Sequence, residues 1–430
     1  MAEATLVEPK SSTPAPTAAR PRSSVGGNVL LALVSLVVFL ALAELSARLL
    51  YWVRWGRHLY PVQTNAYVFP LGWSLAPGVY RGQTIDSLGF RRRTEVALRP
   101  AAGTTRIFLV GGSTAFGTNG LYPQVKAAPI HEEETIDHHL EDLLNHAYPD
   151  RHFEVVNAGV PEYRLFQEFS LFREKLLNLQ PSMVIFLDGH NDISFLTGAA
   201  SGPSRAAPYW SNRNFERGQR VLNSEGLLSP IYFLDIWLGR TSYAYHMLST
   251  LLQGTVNQLG TAGSSAGESA WGAKPFVPGD DSSAVAHYQK EINHAVDLLP
   301  LYVNQVRDLR AIADSRAIPI LYVLQPELLV EPDGELTNHE KATQTIAFDQ
   351  HRDLGTLEWR VLTRAIADSL RFVATPRFSF LDATHLAQRD SADLYTDYCH
   401  LTSLGNRRLA ELLLPQVSQL LGAAAHSPRS

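Results

Sequence analysis

The sequence predicts an α/β protein with a central parallel sheet covered by helices on both faces, preceded by one membrane-spanning helix. Three observations carry this. From about residue 105 onward, short runs of β-branched and large apolar residues alternate with amphipathic helical patterns. The spacers between those runs are long enough to hold the crossover helices that parallel pairing requires. Ahead of them, Val29 to Ala43 is almost unbroken apolar sequence.

In chain order, residues 1 to 27 are rich in Pro, Ser, Ala and Thr without an apolar period, so a disordered tail is expected. The apolar stretch then continues through Leu45, Leu49, Leu50, Tyr51 and Trp52, with Glu44 and Arg48 near one end. Residues 28–53 are assigned as an anchor, long enough to cross a hydrocarbon layer of roughly 30 Å, with Trp52 and Trp55 at the interface. A cleaved signal peptide and a buried helix are the rival readings. The first lacks a clean small-x-small site before the aromatic and arginine cluster. Lys10, Arg20 and Arg22 precede the span and Arg54 and Arg57 follow it, so charge alone leaves the orientation open.

Residues 58–104 alternate Pro, Gly and aromatic residues in short runs, such as Gly78-Val79-Tyr80-Arg81 and Ser87-Leu88-Gly89-Phe90-Arg91, and read as a β-rich lead-in. The main domain is expected over 105–425. Its strands are placed at 106–111, 153–157, 182–188, 318–324 and 378–382, where apolar residues fill most positions. Helical periods run through Ile136, Leu140 and Leu143, through Leu165, Phe169 and Phe172, from Tyr288 to Leu309, through Leu357, Val361 and Ala365, and from Leu409 to Leu420. Residues at about 195–283 break the alternation, with a Gly/Ser/Ala/Thr stretch from Gly254 to Ser269 and aromatics at Tyr232, Phe233, Trp237, Tyr243 and Tyr245. This insertion is read as either a lid over a site or a disordered spacer with a small core of its own.

Composition excludes some classes. With 37 basic against 42 acidic residues and no basic stripe interleaved with aromatics, nucleic acid is not an expected partner. The single cysteine, Cys399, rules out an intrachain disulfide and a cysteine zinc cluster. The oligomeric state is left open.

Three separated stretches carry chemistry. Val110-Gly111-Gly112-Ser113-Thr114 follows an apolar strand, and its glycines allow a sharp turn that presents Ser113 at the strand's C-terminal end. In open α/β sheets that is where ligands bind. Gly189-His190-Asn191-Asp192 follows a second strand, with Asp192 read as organising the loop that presents Asn191. Asp397-Tyr398-Cys399-His400 sets a carboxylate three residues before an imidazole, able to fix its tautomer. A hydroxyl, a base and an acid are the parts of a serine hydrolase. Glu134 and His138, four apart, invite a metal reading, but the apolar positions around them define an amphipathic helix whose charges face solvent. Cys399 is read as a packing residue.

On these residues the chain resembles the SGNH (GDSL-like) hydrolases. Gly111-Gly112-Ser113-Thr114, Asn157-Ala158-Gly159-Val160-Pro161, Gly189-His190-Asn191-Asp192, and Asp397 to Thr402 running on to Gly405-Asn406 are similar to that family's blocks in their order. The resemblance covers roughly residues 105 to 422. It implies a three-layer flavodoxin-like fold, with Ser113 as nucleophile, His400 as general base and Asp397 supporting it. The implied oxyanion hole is the N–H of Ser113, the N–H of Gly159 and the side-chain amide of Asn191. No cofactor and no metal are implied. Two positions depart from the pattern: Gly112 stands where many members carry an acid, and Glu162 where related chains often carry glycine.

The anchor and the Ser87–Arg91 segment resemble bacterial envelope members of the group, with the domain in the periplasm or outside the cell. The expected partners are then the membrane, through the N-terminal helix, and an acyl ester, O-acetyl among the candidates, of a polysaccharide or other alcohol. Two alternatives stand beside the esterase: an O-acyltransferase acting on an envelope polysaccharide, and a catalytically silent polysaccharide-binding scaffold.

Overall fold

A computed structural model describes residues 25–55, 65–66, 74–75, 77–80, 83–118, 130–198, 281–348, 352–387 and 392–425, with scattered positions between 230 and 248. The chain forms two units, 1–57 and 58–430. The expected disordered tail up to residue 24, the Gly254 to Ser269 stretch and most of the expected insertion, with Tyr232 and Phe233, lie outside the described residues.

The first unit holds α1, Val25–Trp55. At 1.5 Å per residue its 31 residues extend about 46 Å. Within it, Gly26–Leu50 is long and apolar enough to cross a membrane, and residues 26–42 are all exposed. Side chains such as Leu33, Val37 and Leu45 stand more than half exposed. Glu44 and Arg48, the two charges in this apolar stretch, pair with each other at 2.8 Å across one helical turn.

The second unit opens with two short antiparallel pairs, β1 (Asn65–Ala66) with β2 (Ser74–Leu75) and β3 (Gly78–Tyr80) with β4 (Gln83–Ile85). The main domain then runs β5 (Thr104–Gly111), α2 (Ser113–Phe116), α3 (Ile136–Ala147), β6 (His152–Asn157), α4 (Leu165–Glu174), β7 (Met183–Asp188) and α5 (His190–Gly198). It continues with α6 (Asp281–Arg316), β8 (Ile320–Leu324), α7 (Asn338–Phe348), α8 (Arg352–Leu370), β9 (Phe378–Asp382) and α9 (Ser403–Ala425).

The sheet order is β6-β5-β7-β8-β9 and every pairing is parallel. Alternation along the strands divides two cores. Ile107, Leu109, Val155, Ile185 and Val323 pack with Leu140 and Leu144 of α3 and Leu409, Leu413 and Val417 of α9. Phe108, Val110, Val156, Val184 and Tyr322 point the other way, against Leu171 of α4, Val306 of α6 and Leu362 of α8. Because the central strands β5, β7 and β8 are buried on both faces, neither face can stay wet, and a three-layer fold results. The chain leaves β5 for one neighbour, β6, and returns to the other, β7. That reversal opens a crevice at the C-terminal end of β5, the position ligands take in doubly wound sheets.

The segment after β4 locks onto this frame. Asp86 accepts the N–H groups of Leu88, Phe90 and Val96, and Gly89 takes a left-handed φ of 82° to close the turn. Arg91 then bridges to Asn157 at the end of β6.

Candidate active site

Ser113 opens α2 directly beyond β5. Its placement depends on two glycines. A Cβ on Gly111 would sit 2.4 Å from the Leu187 carbonyl of β7, and one on Gly112 would sit 2.5 Å from the Asn191 amide nitrogen. The first bond of α2 runs from the Phe116 N–H to the Gly112 carbonyl at 3.0 Å, leaving the N–H groups of Ser113, Thr114 and Ala115 outside the helical ladder.

The Ser113 hydroxyl lies 2.8 Å from His400 Nε2. On the far side of the ring, Nδ1 lies 2.9 and 2.8 Å from the two oxygens of Asp397. A carboxylate there assigns the proton to Nδ1, so Nε2 accepts the serine hydroxyl. The spacing of Asp397 and His400 closes a tight loop: one Asp397 oxygen also accepts the N–H of Cys399 at 3.0 Å and of His400 at 2.8 Å. Burial pushes the Asp397 carboxyl up, but the His400 ring and these two N–H donors outweigh it and hold the group well below the usual carboxylate range. Asp397 and His400 are fully buried and Ser113 nearly so. Such an array can transfer a proton from a hydroxyl to an imidazole without exposing either to bulk water.

Asn191 and Gly159 fare differently. The Asn191 side chain reaches across Gly112, donating one amide hydrogen to the Tyr163 carbonyl at 2.8 Å and keeping a second donor. Gly159 lies beside the same turn, but its N–H is given to the Asn157 side chain at 3.0 Å. A Cβ there would meet the Phe116 nitrogen at 2.4 Å, so the backbone of α2 requires glycine at this position. The Gly159 N–H, expected to face an oxyanion, is engaged by the Asn157 side chain. The chain instead takes its left-handed step at Glu162, with φ of 69°, just before Tyr163. That conformation suits glycine, the residue expected there in similar chains.

No family model and no curated protein matches the chain. Among solved structures, it is similar to the acetylxylan esterase Axe2 from Geobacillus stearothermophilus, at 13% identity and a TM-score of 0.34, covering 73% of this chain and 94% of that one. It is also similar to LAE5, an alpha/beta hydrolase from the metagenome of Lake Arreo in Spain, at 12% identity and a TM-score of 0.31, covering 74% and 96%.

Asp397, Cys399 and His400 bring one potential metal ligand each within 4.8 Å of one another. Their bonding favours the proton relay. Both ring nitrogens of His400 are engaged, and burial, with Asp397 and Glu327 beside it, pushes the Cys399 thiol far up and away from the thiolate a metal needs. Glu134 and His138 do not share a helix: Glu134 ends a separate 3-10 turn, where its carboxylate accepts the His131 N–H, while His138 pairs with Asp142 at 3.8 Å.

Sequence reasoning missed the supports behind Ser113. The guanidinium of Arg91, 1% exposed, donates to the carbonyls of Phe116, Gly117 and Ile130, capping the C-terminal end of the four-residue helix α2. Burial lowers its pKa to about 10. The Asn157 amide donates to the Ala115 carbonyl at 2.9 Å and to buried Asp137 at 2.7 Å. Asp192 accepts the Leu165 N–H at 3.0 Å, tying α5 to the start of α4. Arg91 lay in a segment singled out by its pattern, but nothing local marks an arginine as buried.

Proposed function

We propose that the chain is an SGNH-type serine esterase, anchored by α1 with its main domain in the periplasm or outside the cell, that hydrolyses acyl esters, O-acetyl esters among them, of a carbohydrate or other alcohol. The observation that carries this is the unbroken relay Ser113 Oγ to His400 Nε2 to Asp397, with 2.8 Å at the serine and 2.8 Å at the acid. In the first half-reaction Oγ attacks the acyl carbonyl while its proton passes to Nε2. The Ser113 N–H and the second Asn191 amide hydrogen face the developing oxyanion. Collapse expels the alcohol, which takes the proton from Nε2, and leaves an acyl-serine. Water then attacks that ester, giving its proton to Nε2, and the released serine oxygen recovers it.

Asp397 keeps the imidazolium paired at each stage. Backbone N–H groups hold the carboxylate from behind, so it need not be protonated in turn. The sugar and the compartment rest on the family resemblance. The test is hydrolysis of short-chain p-nitrophenyl esters by the detergent-solubilised full chain, beside Ser113→Ala and His400→Ala, with fluorophosphonate labelling of each. Activity and label lost in the Ser113 variant support the reading. A folded wild type that neither hydrolyses nor labels sinks it and favours the scaffold. Faster acyl transfer to an added sugar than to water would identify a transferase.

A further inference from the structure

A second histidine–carboxylate pair stands beside the first, and the esterase chemistry does not use it. His190 precedes Asn191 at the head of α5, and its Nδ1 lies 2.6 Å from Glu327 Oε2. Both faces of the ring are covered. Trp359 stacks on it at 4.9 Å and 19°, and Tyr398 at 5.0 Å and 26°. Tyr398 belongs to the loop that carries His400, and its carbonyl accepts the N–H of Leu328, the residue after Glu327. The imidazole is therefore clamped on two faces and one edge. Its remaining polar atom, Nε2, faces the hydroxyl of Ser194 at 3.4 Å, a residue exposed on α5.

A buried carboxylate on Nδ1 assigns that nitrogen the proton, leaving a lone pair on Nε2. The 3.4 Å separation from Ser194 is long for an O–H···N bond. A core histidine held only for packing has no need of a fixed tautomer whose outward nitrogen meets an exposed hydroxyl. A ligand hydroxyl that donates to Nε2 and accepts from Ser194 would satisfy both groups with normal geometry. Asn191, whose amide crosses Gly112 next to Ser113, is the adjacent residue, and Tyr398, stacked on the His190 ring, lies two residues before His400.

We propose that His190 Nε2 and Ser194 Oγ form a subsite for a hydroxyl on the alcohol portion of the substrate, selecting esters of polyhydroxy alcohols over simple ones. This rests on the esterase reading and deepens it. The two residues bind; they do not react. His190→Phe keeps an aromatic ring between Trp359 and Tyr398 but removes the acceptor. Ser194→Leu fills the space, and its exposed helical position tolerates the change.

The test compares kcat/KM for a mono-O-acetyl methyl glucopyranoside with kcat/KM for p-nitrophenyl acetate, whose leaving group carries no second hydroxyl. The full chain in detergent should show that ratio falling about 3- to 10-fold in each variant, the worth of one hydrogen bond. A ratio within twofold of wild type in Ser194→Leu overturns the subsite. If wild type turns over neither ester, the esterase reading fails by itself, and the subsite is decided by the ¹⁵N resonance of His190 Nε2 in Ser113→Ala titrated with methyl glucopyranoside. A saturable shift absent from Ser194→Leu supports it, and no shift overturns it.

Discussion

Among the described residues, two buried histidine–carboxylate pairs, His400–Asp397 and His190–Glu327, have carboxyls that move in opposite directions. Both acids are at most 2% exposed, and both meet an imidazole Nδ1 within 3 Å. Asp397 presents both oxygens to the ring and receives two backbone N–H groups, at 2.8 and 3.0 Å, from its own tight loop. Burial pushes it up, yet these donors bring it well below the usual range. Glu327 presents one oxygen to the ring and receives one N–H, from Leu329 at 3.3 Å, so burial prevails and its pKa is raised. The histidine is the larger lowering influence on each acid, and the second ring contact and second backbone N–H at Asp397 add to it.

The sharpest way to break this comparison is to remove each charge. Asp397→Asn should lower kcat on p-nitrophenyl acetate by roughly 10,000-fold, because the amide favours the wrong tautomer of the base. Glu327→Gln should lose at most about tenfold, since Glu327 orders a ring that binds and takes no proton from Ser113. Equal losses would mean that both pairs serve the reacting proton. Asn191→Ala should cost about 100- to 1,000-fold in kcat if its free hydrogen meets the oxyanion. Gly159→Ala should act on folding, by forcing a Cβ against the backbone of α2.

Next in size is Arg91→Met, which strands the carbonyls of Phe116, Gly117 and Ile130. Calorimetry should show a loss of about 3 kcal/mol or more, the cost of several unpaired buried acceptors.

The pH dependence of stability should then separate the two acids by sign. Asp397, with a lowered folded value, contributes stability that is present above about pH 4 and lost as the pH falls through that folded value. Glu327, with a raised one, contributes stability that is full below about pH 4 and lost as the pH rises through its folded value. Melting temperatures of wild type against Asp397→Asn should therefore converge toward acid. Those of wild type against Glu327→Gln should move against the wild type as pH rises. Movement in the same direction would refute the contrast.

The smallest expected effect is Glu162→Gly. Relief of the left-handed backbone should offset the added chain entropy and leave stability within about 1 kcal/mol of wild type, with Tyr163 still accepting from Asn191. A loss well beyond that would show that contacts of the Glu162 side chain stabilise the fold.

Much of the fold was legible because burial on both faces writes itself into consecutive apolar residues. The observed strands Thr104–Gly111, His152–Asn157, Met183–Asp188, Ile320–Leu324 and Phe378–Asp382 lie within two residues of the expected positions at each end. The spacing of Asp397 and His400, and the glycines before Ser113, likewise mark short-range geometry that a chain must encode locally. A glycine signals only that something approaches its Cα, and at Gly159 the neighbour is the backbone of α2, 43 residues earlier in sequence.

What the sequence determined by itself was the alternation of elements, the apolar N-terminal helix and the residue types gathered at the strand ends, all consequences of periodicity and local backbone preference. Tertiary structure alone decided the strand order that brings residues 113 and 400 to 2.8 Å, the arginine that caps α2, and the stacking of His190 between Trp359 and Tyr398. Those contacts join segments far apart in the chain, and no local pattern specifies which buried partners will meet.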